Sequence, residues 1–555
     1  MFKEKKSHRL ALFVAITLGG TGFLSSAHHV SAADVTGQRA EISGTKVPAD
    51  NVVDADSGVV IGSAAGMIGH VADSGNVAHN TLTFNGRALP YDKFLFGGIT
   101  FGSGNVTRNK IFVNQAGALL TSSTEAVYGG MASGGGSVEN NHAEFNGNQL
   151  NGDLIGGMTK GTGTGIVKGN TALLKGGNAN NIYGGIAAAG ANGDVLNNTA
   201  TIEDGHTGKI YGGYADENGN VKDNIVTVKG GIMTGVEGGH SDGTGEISGN
   251  TVNLGDGTSA MAAGYAINGT IYGGRNDSHP DKVSNNTLNV NTNAVAHNIK
   301  NFSTINFNFN AHTNAASSLL TLSDSTGTQI ASLEQIHLSG APLDKSEGTL
   351  IENTHGITVA NYSGAVSRTM EKTESIINRD GTNKIGYKYY QFKGSTETRS
   401  NSSAIWGGRS ILGNTTTGNE VTVSGSHSAR SAYGGWTTGA GSTATGENAQ
   451  KHSIGNKITL EGAASEVYHM FGGLTNVTGG SVTGNRATLT NGRVTGNLAG
   501  GQASNGNVSG NAVDINGGRV DGATYGGITG GTGKAERNTA TLTGGMLNSD
   551  IYGGV

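Results

Sequence analysis

Hydrophobic and polar residues alternate along this chain in a unit that returns about every 27 residues. The clearest copy is Val195-Leu196-Asn197-Asn198-Thr199-Ala200-Thr201-Ile202, followed by Lys209-Ile210-Tyr211-Gly212-Gly213. A Val or Ile stands three residues before an Asn, at Val77, Val106, Val138, Val167, Val195, Val221, Ile247, Val283, Val482 and Val508. The Asn recurs at Asn80, Asn109, Asn141, Asn170, Asn198, Asn224, Asn250 and Asn286, and again at Asn419, Asn456, Asn485, Asn511 and Asn538. A short run of period two follows it, as in Ala200/Ile202, Val226/Val228 and Val252/Leu254. That spacing marks a half-buried strand, and no helical period competes with it. A Gly pair closes each unit, usually behind an aromatic residue: Tyr128, Tyr183, Tyr211, Tyr272, Tyr433, Tyr525 and Tyr552.

Repeats of this length mean a solenoid or a propeller. A propeller blade needs roughly 40 or more residues, and a leucine-rich repeat needs a Leu framework that is missing here. Three short strands and three turns fit one coil of a parallel β-helix, each coil pairing with the next at roughly 4.8 Å. The fold class is therefore all-β, a parallel β-helix (β-solenoid) with about 27 residues per coil. The Asn column is expected at a left-handed corner, where Asn is tolerated, with its amides bonding along the stack. The Gly pairs are expected at corners that a Cβ would obstruct. Packed rings beside the corner account for the Tyr column better than carbohydrate stacking does.

The pattern divides the chain. Residues 1–32 read as a signal peptide: Lys3, Lys5, Lys6 and Arg9 precede an apolar core from Leu10 to Leu24, and Val30-Ser31-Ala32 offers a cleavage site before Ala33. Residues 33–70 are weakly patterned and suit an N-terminal cap or linker. The first array covers 71–290. Residues 291–400 form a β-rich interruption with Ile299 to Phe309, Leu319 to Leu322, a charged stretch from Arg368 to Lys384 and the cluster Tyr387-Lys388-Tyr389-Tyr390. The second array covers 401–555. Its last unit is as regular as an internal one, so the natural protein is expected to continue past Val555.

Composition supports export more than it identifies a ligand. Gly makes up 97 of 555 residues, about two and a half times the usual share of roughly 7%. The four Pro (Pro48, Pro90, Pro280 and Pro342) avoid the expected strands, where a ladder N–H is needed. Cys is absent, and the net charge is −5 with no persistent Lys/Arg cluster after the signal. Nucleic-acid binding therefore has no electrostatic basis.

With signal, Gly/Asn-rich coils and absent Cys in view, the chain from about Val71 to Val555 resembles the passenger region of autotransporters, the adhesin-like β-helical kind. The resemblance implies a cell-surface, outer-membrane or extracellular location and a host or neighbouring-cell protein or glycan as partner. It also implies a C-terminal outer-membrane barrel, which is expected to be absent from these 555 residues.

Motifs that could carry chemistry are few in this chain. Gly239-His240-Ser241-Asp242-Gly243 fits the G-x-S-x-G pattern but lacks the strand-to-helix context it requires. Gly533-Lys534 fails as a phosphate loop, because Ile528 and Ala535 occupy its other key positions. Neither H-E-x-x-H nor the calcium-binding nonapeptide occurs, and His28-His29 precedes the cleavage site. Asp216 with Glu217, and Asp277 with Asp281, follow Gly pairs as solvated loop charges. The segment from Gly435 to Asn456 is about ten residues longer than its counterparts, which suits either binding or a tolerated insertion. No catalytic, cofactor-binding or metal-binding residue is assigned, no cofactor is expected, and the chain is read as a non-enzyme. A β-helical carbohydrate-active enzyme and a structural stalk are the alternatives.

Overall fold

The structure, a computed structural model, describes residues 67–72, 75–86, 93–114, 124–340, 346–396, 398–400, 403–439 and 451–555, together with short strands between 35 and 61. The expected signal peptide, Pro48, Pro90, Pro342 and 440–450 of the long loop lie outside the described residues. The fold is a parallel β-solenoid of about 16 turns and about 28 residues per turn, as its period requires. Two compact units divide it, one comprising Met1–Asn314, Leu319–Ser339 and Ile351–Asn361, the other Ala315–Ser318, Gly340–Leu350 and Tyr362–Val555.

In the first unit each coil has three faces. Two-residue strands carry the Val column on the first face, in the register Val77, Val106, Val138, Val167, Val195, Val221, Ile247, Val283. The Asn leads into the alternating strand of the second face, where Ala200 and Ile202 stack on Val226 and Val228 and these on Val252 and Leu254. All six of these side chains are fully buried. The Gly-pair strand forms the third face, with Gly157, Gly185, Gly213, Gly239 and Gly274 in line.

The Asn column is a ladder of buried amides. Asn198 donates from its backbone N–H (2.9 Å) and from Nδ2 (3.0 Å) to Oδ1 of Asn224. Nδ2 of Asn224 donates to the Val195 carbonyl and to Oδ1 of Asn250, both at 3.0 Å. The Asn224 amide thus uses two acceptor and two donor sites, its full capacity. Among side chains this short, Asn is the one that offers two donors together with two acceptor sites.

Two expectations about the corners are corrected. The ladder Asn is not the left-handed residue. Positive φ belongs to the residue before it: His79, Arg108, Asn140, Asn197, Asp223 and Asn285, or Gly169 and Gly249 in other coils. The Asn is conserved in kind by its hydrogen bonds, while the corner accepts several residue types. The Gly pairs also lie inside strands rather than in turns, as in Asp153–Thr159 and Ile182–Ala187. A Cβ on the first Gly would strike the next coil, 2.4 Å from the Gly238 carbonyl oxygen in the case of Gly212. A Cβ on the second would strike the ladder, 2.6 Å from Nδ2 of Asn224 in the case of Gly213. Close approach, not turn geometry, selects Gly here.

The solenoid register extends upstream of Val71, since Val35–Thr36 and Arg39–Gly44 pair parallel with Val77–Ala78 and Thr81–Gly86. Within 291–400 the order changes by steps. Ala294–Lys300 and Thr304–Phe309 still pair parallel with the preceding coil, but Thr287 stacks on Thr304, a step of only 17 residues (304 − 287). In the second unit, Val366–Thr369, Thr373–Asp380 and Lys384–Gln391 form an antiparallel sheet. Parallel coils follow from Ala404–Ser410 onward, with Asn419, Asn456, Asn485 and Asn511 rebuilding the ladder. Among the described residues no helix is long and apolar enough to cross a membrane, a statement about helices alone.

Candidate functional site

The Gly pair lets the residues on either side of it pack together. Tyr211 and Tyr214 flank Gly212-Gly213, and their rings meet edge-to-face at 5.5 Å. Both positions form columns along the third face. The column before the pair is packed and mostly aromatic, with Ile155 between Tyr128 and Tyr183: Tyr183 stacks on Tyr211 at 4.8 Å and 3°. Phe96 stacks on Tyr128 at 4.9 Å in the same way. Ring faces cover one another, so this column is a packing device, as its sequence suggests.

The column after the pair changes character along the unit. It begins Ile99, Met131, Met158, Ile186 and ends Tyr214, His240, Arg275. At the same end Glu237 takes the aromatic slot between Tyr211 and Tyr272. Two residues beyond the second column stand Asp216, Asp242 and Asp277, one per coil. Three successive units read Gly-Gly-Tyr-Ala-Asp, Gly-Gly-His-Ser-Asp and Gly-Gly-Arg-Asn-Asp. The site is this nine-residue grid.

Its centre is a buried carboxylate. Glu237, 1% exposed, accepts from Nζ of Lys209 at 2.9 Å, Nη1 of Arg275 at 3.3 Å and Nδ1 of His240 at 2.5 Å. Nε2 of His240 reaches Oδ1 of Asp242 at 3.1 Å. The hydroxyl of Tyr214 donates to Oδ2 of the same Asp242 at 2.6 Å, and its ring stacks on His240 at 4.9 Å. Arg275 also grips Asp277 through Nε and Nη2 (3.0 and 2.7 Å). Burial alone would raise the Glu237 carboxyl. The His240 hydrogen bond and the charges of His240 and Lys209 outweigh it and hold the group at about 2. Burial likewise opposes charge on His240, but its bonds to Asp242 and Glu237 win and raise it. Asp216 is raised by burial and by the charge of Asp242. Burial, the Asp216 charge and the Asp242 bond push the Tyr214 phenol up.

These shifts predict a pH optimum for the first unit. Glu237 is depressed from 4.5 to about 2, so its contribution is present above 4.5 and is lost as pH falls toward 2. His240 is raised above 6.5, so its contribution is complete below 6.5 and is lost as pH climbs through the raised value. Asp216, also raised, adds to the loss with rising pH and offsets part of the Glu237 term in acid. Denaturant midpoints measured across pH should peak between about 4.5 and 6.5. His240→Gln should flatten the alkaline limb; an unchanged limb would contradict the assignment.

The sequence candidates divide clearly. Asp216 and Asp277 belong to the grid. Glu217 lies beside it without a bond to it, and Asp281 is exposed in the 3-10 turn Pro280–Lys282. Ser241 is buried and turned away from His240, with Oγ near the Glu217 carbonyl (3.4 Å). Among the described residues no hydrogen bond joins Ser241 to His240, and the G-x-S-x-G match is a strand segment, Ile232–Ser241, running into a bend. Lys534 enters the short strand Ala535–Glu536 by a backbone bond to Asn507 Oδ1. Among the described residues no three His, Asp or Glu side chains converge as a metal-ligand set. Glu237, His240, Asp242 and Arg275 were missed as a group, although the repeated Gly-Gly-x-x-Asp and the Glu in a Tyr slot announce them. No protein-family model matches the chain, and no curated protein and no solved structure matches it either.

Proposed function

We propose that this chain is an exported cell-surface β-helix scaffold, an adhesin-like autotransporter passenger whose third face contacts a protein or glycan on a host or neighbouring cell. One observation carries the reading. The inward Val and Asn columns hold constant from coil to coil, while the column after the Gly pair changes from buried Ile and Met to Tyr, His and Arg and is flanked there by the exposed carboxylates of Asp242 and Asp277. A fixed frame that varies locally, with charged groups exposed at the variation, is how a repeat scaffold presents a binding surface. The charged grid then supplies orientation and specificity more than raw affinity. Export rests on the apolar segment and small residues before Ala33.

Display on a diderm host tests both halves. Mass spectrometry of exported protein should find a mature start near Ala33 or Asp34, and retention of residues 10–24 would refute cleavage. Surface protease should digest the chain on intact cells, and adhesion to epithelial monolayers should fall when Asp242 and Asp277 are both replaced by Asn. A β-helical carbohydrate-active enzyme is the second reading, favoured by the raised Asp216 beside Asp242, an arrangement suited to acid–base work. Release of reducing ends from a polysaccharide panel, abolished by Asp216→Asn, would select it. Failure of both assays would leave the stalk.

A further inference from the structure

The 17-residue step from Thr287 to Thr304 has a cost for the first face. In the preceding coil, 273–286 run out to the two-residue strand Val283–Ser284 and back. In the short coil only Asn301, Phe302 and Ser303 join Ala294–Lys300 to Thr304–Phe309, so that coil contributes no strand there. The nine-stranded sheet of the first face ends at Val283–Ser284 accordingly.

The next coil returns to that side with Thr328–Ile330. This strand pairs, among the described residues, with Ile357–Val359 alone, in a parallel two-stranded sheet. Thr328 N–H donates to the Gly356 carbonyl and Ala360 N–H to the Ile330 carbonyl, so Thr328 and Ile330 spend their backbone groups on that partner. By alternation the N–H and C=O of Gln329 face the other way. They look into a half-open recess of about 670 Å³ between Thr328–Ile330 and the turn of the short coil. That volume lies within the roughly 300–1,000 Å³ of ligand pockets. Asn298 closes one end, its Oδ1 accepting from Oγ1 of Thr328 and its Nδ2 donating to the Gly327 carbonyl. The lining contains Lys300 and no Asp or Glu. Among the described residues no carboxylate pairs with Lys300.

We propose that this recess is a docking site for an extended, acidic segment of a partner protein, which adds a strand parallel to Thr328–Ile330 in the place the short coil vacates. An added strand takes affinity from main-chain bonds and specificity from alternate side chains. Here the edge supplies the N–H and C=O of Gln329, and Lys300 supplies the one charge in the recess. The recess borders the charged grid of the third face, since Lys300 is the register partner of Tyr272.

The full chain is titrated with two capped pentapeptides, Thr-Glu-Val-Glu-Thr and Thr-Lys-Val-Lys-Thr, followed by fluorescence anisotropy and residue-resolved hydrogen exchange. The acidic peptide should bind at least about 10-fold more tightly and slow exchange of the Gln329 amide by about 10-fold or more at saturation. Lys300→Glu should invert the preference. Gln329→Pro removes the free N–H without touching the Thr328 or Ile330 bonds, so it should abolish binding at an unchanged melting temperature. Equal binding of both peptides, or an unprotected Gln329 amide, would overturn the proposal. So would concentration-dependent self-association that protects the same amide, which would give the edge to a second copy of this chain.

Discussion

Replacing Asn224 with Asp should destabilise the first unit by about 3–5 kcal/mol at neutral pH, although the two side chains have the same shape. Oδ1 would still accept from Asn198, but the second oxygen would face the Val195 carbonyl and Oδ1 of Asn250, to which Nδ2 now donates at 3.0 Å. That second oxygen, at a fully buried position, would meet two acceptors and no donor. The carboxyl's folded-state pKa must then rise above the unfolded value. The sign follows: the loss is smallest below the unfolded pKa and grows as pH rises through the folded one. Asn224→Ala makes a different defect, orphaning the Asn198 N–H and one Asn198 amide bond, and should cost about 1–3 kcal/mol per buried orphan with little pH dependence. Urea melts across pH, with hydrogen exchange at Asn198 and Thr199 as the local readout, separate the cases. An Asp variant as stable as wild type at pH 7 would mean that the amide ladder contributes nothing beyond its shape.

That ladder was readable in part. The period of Val, Asn and Gly pair gives the three faces, the inward columns and the strand pairing, because each column must satisfy the same neighbours in every coil. It does not say which residue of an Asn-Asn or Asp-Asn doublet turns the corner. Both residue types tolerate positive φ, and only the hydrogen-bond geometry puts Asn197 and Asp223 there instead of Asn198 and Asn224. The residues 291–400 carry neither the Asn nor the Gly pair, so the pattern gives no register. The short step at Thr304 and the antiparallel strands from Val366 to Gln391 are products of tertiary pairing.

The charged grid was hidden for another reason. Asp216, Asp242 and Asp277 look like separate loop charges when each is weighed by its sequence neighbours. They fall into one column only when the Gly pairs are aligned. Glu237 then stands out, because a Glu in a slot filled in the preceding coils by Phe96, Tyr128, Ile155, Tyr183 and Tyr211 has to bring its own counter-charges. Lys209 and Arg275, one coil to either side, are those charges. A departure from a repeat is thus more informative about function than the repeat itself.

Gly472→Ala in the second unit decides what the Gly pairs are for. If they served flexibility, Ala would stabilise the folded chain by about 0.4–1 kcal/mol, since it reduces the freedom of the unfolded state. The packing demands the opposite sign. A Cβ at Gly472 would stand 2.4 Å from the Gly500 carbonyl oxygen and 2.6 and 2.7 Å from backbone C and N of Arg486. No side-chain rotation relieves a clash with backbone, so adjacent coils would have to part, lengthening the ladder between Glu466–Thr475 and Leu498–Ala503. Overpacking of this kind costs about 1–3 kcal/mol or more. Gly484→Asn is the matched control: its φ is +67° with nothing within 4 Å of the added Cβ. Asn fills the equivalent corner at Asn140, Asn197 and Asn285. Its effect should stay within about 0.5 kcal/mol, the range of an unstrained surface change. Calorimetric unfolding of both variants beside wild type gives the answer, and a Gly472→Ala protein that melts at or above wild type would show that the coils do not need that contact.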